Sequence, residues 1–339
     1  MAKSSARDPL ADLQRIAYLL ERAREATPRV KAFRTAATIV EELPPAELAD
    51  RAAKGTLSDL AGIGDTTSTV IRESLAGQVP AYLAKLEAAL PERKSPGKMQ
   101  TAIKGDLHMH SDWSDGGSPI EEMVTAARDL GHEYVALTDH SPRLTIARGL
   151  TAERLREQIK IVKRLNKEMA PFRILTGIEV DILDNGSLDQ EEELLAELDV
   201  VVASVHSKLR MSAKEMTERM VVAVANPNTD VLGHCTGRLL SGRGRPESEF
   251  DPEMVFEACK QFGTAVEINS RPERLDPPRR LLALAEEIGC MFSIDTDAHA
   301  PGQLEWQVNG CERAEEIDLD PARVINTRSA DDLLALLAN

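Results

Sequence analysis

From about residue 100 onward the chain alternates between two apolar patterns. Short, nearly continuous runs rich in Val, Ile, Leu and Ala occur at 103–108, 134–139, 173–180, 199–206, 230–234, 264–269 and 291–296, with a further short run at 323–326. Between them, apolar residues recur every three or four positions near 119–130, 151–169, 188–197, 212–225, 252–262 and 278–289. The first pattern is that of strands buried on both faces, and the second is that of amphipathic helices. Regular alternation of the two predicts an α/β fold with a parallel sheet covered by helices. Seven such units predict a closed or nearly closed (β/α)7 barrel.

Before residue 100 the pattern is helical only. Leu13, Ile16, Ala17, Leu20 and Ala23 share one stripe, and Ala32, Phe33, Ala36, Ile39 and Val40 share another. Between the two regimes "PERKSPGKMQT" combines two prolines, a glycine and several charges, which marks a seam. The expected organisation is a small all-α domain over 1–92, a linker over 93–101 and the barrel over 102–339.

Composition adds limits. A chain of 339 residues with 42% hydrophobic content can fill a sizeable core. It has no run of eighteen apolar residues, and "MAKSSARDPL" lacks the apolar stretch of a signal peptide, so no membrane span is expected and the expected location is cytoplasmic. Cys235, Cys259, Cys290 and Cys311 are widely spaced, as befits reduced, buried thiols. The net charge of −15 excludes a protein whose whole surface grips nucleic acid. Residues 1–100 carry +2, so the acidic excess of −17 lies in the barrel. If that part handles phosphate, metal ions must mediate the contact.

The polar residues at the strand ends sharpen this expectation. His108 and His110 end the first strand, Asp139 and His140 the second, Glu179 the third, His206 the fourth, His234 the fifth, and Asp297 with His299 the seventh. Strand carboxyl ends share one face of a βα barrel, so these distant positions should converge there. A lone histidine at a strand end is commonly a hydrogen-bonded structural residue, but six of the seven histidines at equivalent ends point to a metal cluster. With Asp115 the set has nine imidazole and carboxylate groups, suited to two or three divalent ions such as zinc, manganese or iron. His132 precedes the second strand, at the opposite end, and is expected to be a surface or packing residue.

"DLHMHSDWSDG", "ALTDHS", "GIEVDI", "ASVHS", "GHCTGRLL", "VEINSRPERLD" and "IDTDAH" resemble the successive motifs of the PHP (polymerase and histidinol phosphatase) domain, especially its form at the carboxyl end of bacterial family-X DNA polymerases. The resemblance covers about 103–325 and implies a distorted (β/α)7 barrel with a trinuclear metal site. It implies that His108, His110, Glu179 and Asp297 hold one ion, that Glu179 bridges to a second held by His206 and His234, and that Asp115, His140 and His299 hold the third. Asp115 stands where some members have histidine, and a carboxylate there favours manganese or iron.

"VKAFRTAATIVEELP" and "LSDLAGIGDTTSTVIRESLAGQVP" resemble the small helix-hairpin-helix domain at the start of family-X polymerases. The resemblance implies contact with the DNA backbone through Gly62, Ile63 and Gly64, with Arg29 and Arg34 as accessory cations. A helix C-cap is the other reading of the glycines. Two departures matter: Thr66 and Val70 occupy the positions of the lyase lysines of some relatives, and no polymerase palm lies between the two parts. Neither lyase nor polymerase activity is therefore expected.

The expected function is a metal-dependent phosphoesterase acting on DNA phosphodiester or 3′-end phosphoester bonds, a 3′-5′ exonuclease or end-processing repair enzyme with DNA as partner. The alternative is a small-molecule phosphatase of the histidinol-phosphate type, and a non-catalytic DNA-binding module fits the full ligand set poorly. Lys208, Arg238, Arg271 and Arg274, each shortly after a ligand or strand end, are candidate phosphate clamps, with a solvated surface role as the alternative for each. Asn269 ends the sixth strand and is expected to orient substrate or a ligand. The catalytic set is thus His206, Arg238, Asn269 and Arg274.

Overall fold

Seven strands, all parallel, form one sheet in the order of the sequence: β1 Gly105–Met109, β2 Tyr134–Leu137, β3 Arg173–Asp181, β4 Val200–Ser204, β5 Val231–Leu232, β6 Ala265–Asn269 and β7 Phe292–Asp295. This is seen in a computed structural model, which describes residues 7–91 and 95–338 and divides into two compact units, Met1–Lys94 and Ser95–Asn339.

Among the described residues the first unit has five α-helices: α1 Pro9–Arg22, α2 Thr27–Glu42, α3 Pro45–Lys54, α4 Asp65–Leu75 and α5 Ala81–Ala88. The Asp8 side chain accepts the Leu10 N–H and caps α1, and Gly55 ends α3 in the left-handed region at φ 70°. The two apolar stripes face inward, joining Leu13, Ile16, Leu20, Phe33, Ala36 and Val40 to Leu57, Ile63 and Ile71 in one core. Ala23 and Ala32, at the edges of those stripes, are exposed.

In the second unit the helices between strands are α7 Ile120–Asp129, α8 Ala152–Glu168, α9 Glu192–Leu195, α10 Ala213–Val224, α11 Pro252–Phe262 and α12 Arg279–Ile288, preceded by α6 Lys98–Ala102 and followed by α13 Gln307–Glu315 and α14 Ala330–Leu337. Strand residues are buried on both faces, which explains their continuous apolar runs. All four cysteines are free and buried. Among the described residues no helix is long and apolar enough to cross a membrane.

Three local expectations change. The segment 188–197 holds only the single turn α9. Of the expected linker 93–101, residues 93 and 94 lie outside the described residues, while 98–102 form α6, with Met99 buried and its N–H donating to Glu315 Oε1 at 2.7 Å. The late run 323–326 is not a strand but a pair of 3-10 turns around Val324, which makes a single bridge to Phe292.

That last segment closes the barrel in another way. Between β7 and β1 the backbone meets at one bridge, Met109 with Ala298, where the His110 N–H donates to Ala298 O at 2.8 Å. Side chains join the rest of the seam. Asn326 Nδ2 donates to Gly105 O (2.9 Å) and Ile294 O (2.8 Å), its Oδ1 accepts the Ile294 N–H, and Gln307 Nε2 donates to the same two carbonyls.

Candidate metal centre

The histidines and Asp297 sit near or just past strand carboxyl ends, Asp115 on the loop after β1, and the carboxylate of Glu179, within β3 and paired with Val202, lies at their centre. Glu179 Oε1 lies 2.8 Å from His234 Nε2 and 3.3 Å from His206 Nε2, while Oε2 lies 2.8 Å from His140 Nδ1, 3.4 Å from His108 Nε2 and 3.6 Å from His110 Nε2. His110 Nε2 is also 3.5 Å from Asp297 Oδ1, and Asp115 Oδ1 is 3.4 Å from His140 Nε2 and 3.3 Å from His299 Nε2. All nine expected groups therefore meet in one place. His132, the seventh histidine, is not among them and is held down to about 4 by burial.

The arrangement fits bound cations. His108 Nε2, His110 Nδ1 and Nε2, His140 Nδ1, His206 Nε2, His234 Nδ1 and Glu179 Oε2 are buried without a hydrogen-bond partner among the described residues. So many orphaned polar atoms in one site would cost several kcal/mol, on the order of 1–3 each, unless positive charge satisfies them. Ligand atoms of His110, Asp115, His140 and His299, of His108, His110 and Glu179, and of His140, Glu179 and His206 lie within 4.8 Å of one another in each group. The site could thus hold several ions. His234 and Asp297 fall outside these three groups but reach Glu179 and His110, respectively.

A second ring of carboxylates, not anticipated from the sequence, fixes the imidazoles. Glu267 Oε1 lies 2.6 Å from His108 Nδ1, and its Oε2 accepts the His234 N–H at 2.6 Å. Asp181 Oδ1 lies 2.5 Å from His206 Nδ1. Both contacts leave Nε2 free to face the centre, the usual way an outer carboxylate selects the ligating nitrogen. The sequence carried a signal for both: Asp181 follows Glu179 by two and Glu267 precedes Asn269 by two, which is the same-face spacing of a strand. Asp139 accepts from Ser111 N and Oγ, Ser114 Oγ and Gln158 Nε2, anchoring the loop that carries Asp115.

Charge states follow from these contacts. Burial works against the charged form throughout, yet Glu179 and Asp181 together raise His206 to about 9. Burial and the neighbouring His299 and His140 hold His110 well below its ordinary value. Despite burial, Glu179 and Asp297 are held well below the carboxylate range, the former by His206 and His108 and the latter by Arg271 and the His110 contact. Asp297 at φ 53° and His234 at φ 21° are non-glycine residues in the left-handed region, a strained backbone at the centre itself.

The centre opens into a cavity of about 400 Å³ lined by Asp115, His140, His206, Arg271, Arg274 and His299, among others. Arg274 Nε donates to Asp297 Oδ2 at 3.1 Å, while its Nη1 is buried without a partner. Arg271 Nη1 lies 3.3 Å from Asp297 Oδ1 and 3.1 Å from His299 Nδ1. Asn269 Nδ2 donates to Glu267 and Asp297, so it orders ligands. Two of the candidate clamps lie outside this cavity. Arg238 does not line this cavity, because its guanidinium donates to Arg274 O at 2.9 Å and to Leu275 O, bracing the loop that carries Arg274. Lys208 is exposed and paired with Asp184 at 2.5 Å.

In the first unit the expected DNA contacts are differently disposed. Gly62, at φ 100°, lies so close to α2 that an added Cβ would meet Thr35 Cγ2 at 2.7 Å. Ile63 is buried in the core, which leaves only its backbone for a ligand. The Gly64 N–H donates to Thr67 Oγ1 at 3.0 Å, so the available donors belong to the first turn of α4. Arg29 is exposed and pairs with Glu25 at 2.6 Å, whereas Arg34 is drawn against buried Glu21 at 2.6 Å as a clamp between α1 and α2.

The chain is similar to several known proteins. The PHP domain model matches residues 106–271. The DNA polymerase/3'-5' exonuclease PolX of Bacillus subtilis is 43% identical over 235 residues, 69% of this chain, and the chain spans 41% of that protein's length. A probable phosphatase of Thermoanaerobacter sp. (strain X514) is 30% identical over 205 residues, 57% of this chain and 78% of the relative. Among solved structures, histidinol phosphate phosphatase from Lactococcus lactis, complexed with zinc, L-histidinol and phosphate, aligns with a TM-score of 0.49 and 19% identity over 64% of this chain and 95% of that one. A nearly closed parallel barrel whose strand ends converge on a histidine and carboxylate cluster defines the class. The chain belongs to the PHP domain family.

Proposed function

We propose that this chain is a metal-dependent phosphoesterase acting at DNA 3′ ends, as a 3′-5′ exonuclease or end-processing repair enzyme. The observation that carries the reading is the set of nine convergent imidazole and carboxylate groups, seven of whose atoms are buried without partners among the described residues, beside an arginine-lined cavity. His108, His110, Glu179 and Asp297 would hold one ion, Glu179 with His206 and His234 a second, and Asp115, His140 and His299 a third. Divalent ions such as zinc, manganese or iron supply Lewis-acid neutralisation of phosphate oxygens and lower the pKa of water. The chain's own residues do the positioning. Arg274 Nη1, lacking a partner, would donate to a non-bridging phosphate oxygen, and Arg271 would hold Asp297 and His299 in place. Glu267 and Asp181 keep His108 and His206 in the tautomer that presents Nε2.

Action on DNA is supported by the similarity to the Bacillus subtilis protein and by the hairpin between α3 and α4, where first-turn N–H groups suit a phosphate. The second reading, a small-molecule phosphatase, is supported by the probable phosphatases, whose length the chain covers more fully. A labelled 3′-recessed duplex and histidinol phosphate, each offered with manganese and with zinc, separate the two. Shortening of the duplex from its 3′ end supports the first reading; release of phosphate from histidinol phosphate alone overturns it.

A further inference from the structure

A second cavity, of about 590 Å³, shares Arg245 with the cavity over the metal centre. Its lining joins three arginines, Arg238, Arg245 and Arg280, to apolar Leu240, Pro246 and Phe250. Two of the arginines are already engaged: Arg280 pairs with Glu247, and Arg238 braces the 274–275 carbonyls with Glu247 at 3.7 Å. Glu249 stands exposed at the rim.

Arg245 differs from both. Its Nε donates to Gly237 O at 2.5 Å, and among the described residues no carboxylate lies within ion-pair distance of it. Burial and the nearby Arg274 cation outweigh the attraction of Asp276 and hold it below the usual guanidinium range. A buried donor without an acceptor sits on each side of it: Arg274 Nη1 towards the metal centre, and Ser248 Oγ, on a residue only 7% exposed, in the second cavity. Such groups are costly to bury unless something binds them. Leu240, 55% exposed, holds an apolar side chain in water at the same place.

We propose that the second cavity is a nucleotide subsite. With the scissile phosphate over the metal centre, Arg245 holds the phosphate of the adjoining nucleotide, Ser248 donates to the same unit, and Leu240 and Phe250 receive its base, since apolar and aromatic side chains accept any base face. The inference rests on the phosphoesterase reading and deepens it: the substrate is a strand with a further nucleotide beside the bond that breaks, not a lone phosphomonoester.

The test compares kcat/KM for a thymidine dinucleotide and for bis(p-nitrophenyl) phosphate, using the full chain with manganese. Arg245→Gln removes the charge, and Leu240→Asp places a repelling charge at an exposed position where folding is not at risk. Each variant should lose the preference for the dinucleotide by about tenfold or more, the factor for one charge-assisted hydrogen bond. An equal change on both substrates in both variants overturns the subsite. If the parent hydrolyses neither substrate, the phosphoesterase reading fails, and anisotropy of a dye-labelled thymidine dinucleotide then decides the subsite: weaker binding by the variants retains it, unchanged binding rejects it.

Discussion

Glu267 holds His108 from behind: its Oε1 lies 2.6 Å from His108 Nδ1, and both side chains are fully buried. An imidazole fixed at Nδ1 offers Nε2 as the ligand and loses little freedom when an ion binds. Glu267→Gln should therefore retain the fold while lowering metal affinity by about 10–100-fold, the usual effect of removing an outer carboxylate. Titration with zinc or manganese followed by calorimetry checks this, and unchanged affinity would show that the pair serves packing only.

Glu179 touches five histidines through two oxygens, so Glu179→Ala removes a bridge as well as a ligand. Elemental analysis should find fewer ions per chain than in the parent, and phosphoester hydrolysis should fall by orders of magnitude. Full activity in the presence of a chelator would overturn the metal-centre reading.

Gly62 and Gly64 should respond differently to substitution. A methyl group at Gly62 meets Thr35 and Ile39 side chains and the backbone is at φ 100°, so Gly62→Ala should destabilise the first unit by about 1–2 kcal/mol. An added Cβ at Gly64 has nothing within 4 Å and the backbone is extended, so Gly64→Ala should cost only the modest N-cap preference for glycine over alanine, about 0.5 kcal/mol. Chemical denaturation measures both. If α4 grips a phosphate, only Gly64→Ala gives a clean reading of DNA affinity.

Burial, opposed by the Val201 N–H and aided by Asp199, raises Asp230 to about 7. The folded state then binds more protons than the unfolded chain between about pH 4 and 7, so this residue's contribution to stability declines as pH rises through that window. Relative to the parent, Asp230→Asn should gain stability from pH 4 to 7. The residue keeps partial solvent contact, so the gain is a fraction of that for full burial. Thermal melts of both proteins across that range should diverge as pH rises; parallel curves would remove Asp230 from the pH response.

If the chain acts on DNA as proposed, the acidic second unit and near-neutral first unit together imply that few phosphates are neutralised on binding. The log–log salt slope of affinity should be shallow, roughly −2 to −4. A steeper slope, measured by anisotropy at several salt concentrations, would show a longer cationic path.

The strands and the six histidines at their ends are legible because each signal is local: a continuous apolar run, then a polar residue where pairing stops. The helices α13 and α14 are not legible in the same way, since α13 follows a 3-10 segment and α14 shows one short stripe against the barrel's other end, through Leu333. The run at 323–326 looks like a strand because Val324 and Ile325 are buried, but Val324 makes only one bridge, to Phe292, and Ile325 packs with Leu107 and Leu333. Arginine is the least legible residue. In "GRLLSGRGR" spacing alone cannot distinguish Arg238, which braces a loop, from Arg245, which faces both cavities, because a long side chain's direction is set by the fold around it.

The amide of Asn326, stitching β7 to β1, bears on how the protein is made. Synthesis runs from the amino end, so β1, with His108 and His110, emerges first and must wait for β7, for His299 and finally for the stitch. A nascent or truncated chain ending before Asn326 has the complete list of ligands but lacks the Asn326 bonds, leaving Gln307 and the contacts of Asp106 with Thr296 and of Asp295 with Leu107 to hold its two edges together. Assembly of the centre is thus coupled to translation of nearly the whole second unit, and a premature stop in the last turns should loosen the seam beside the centre without removing one of its ligands.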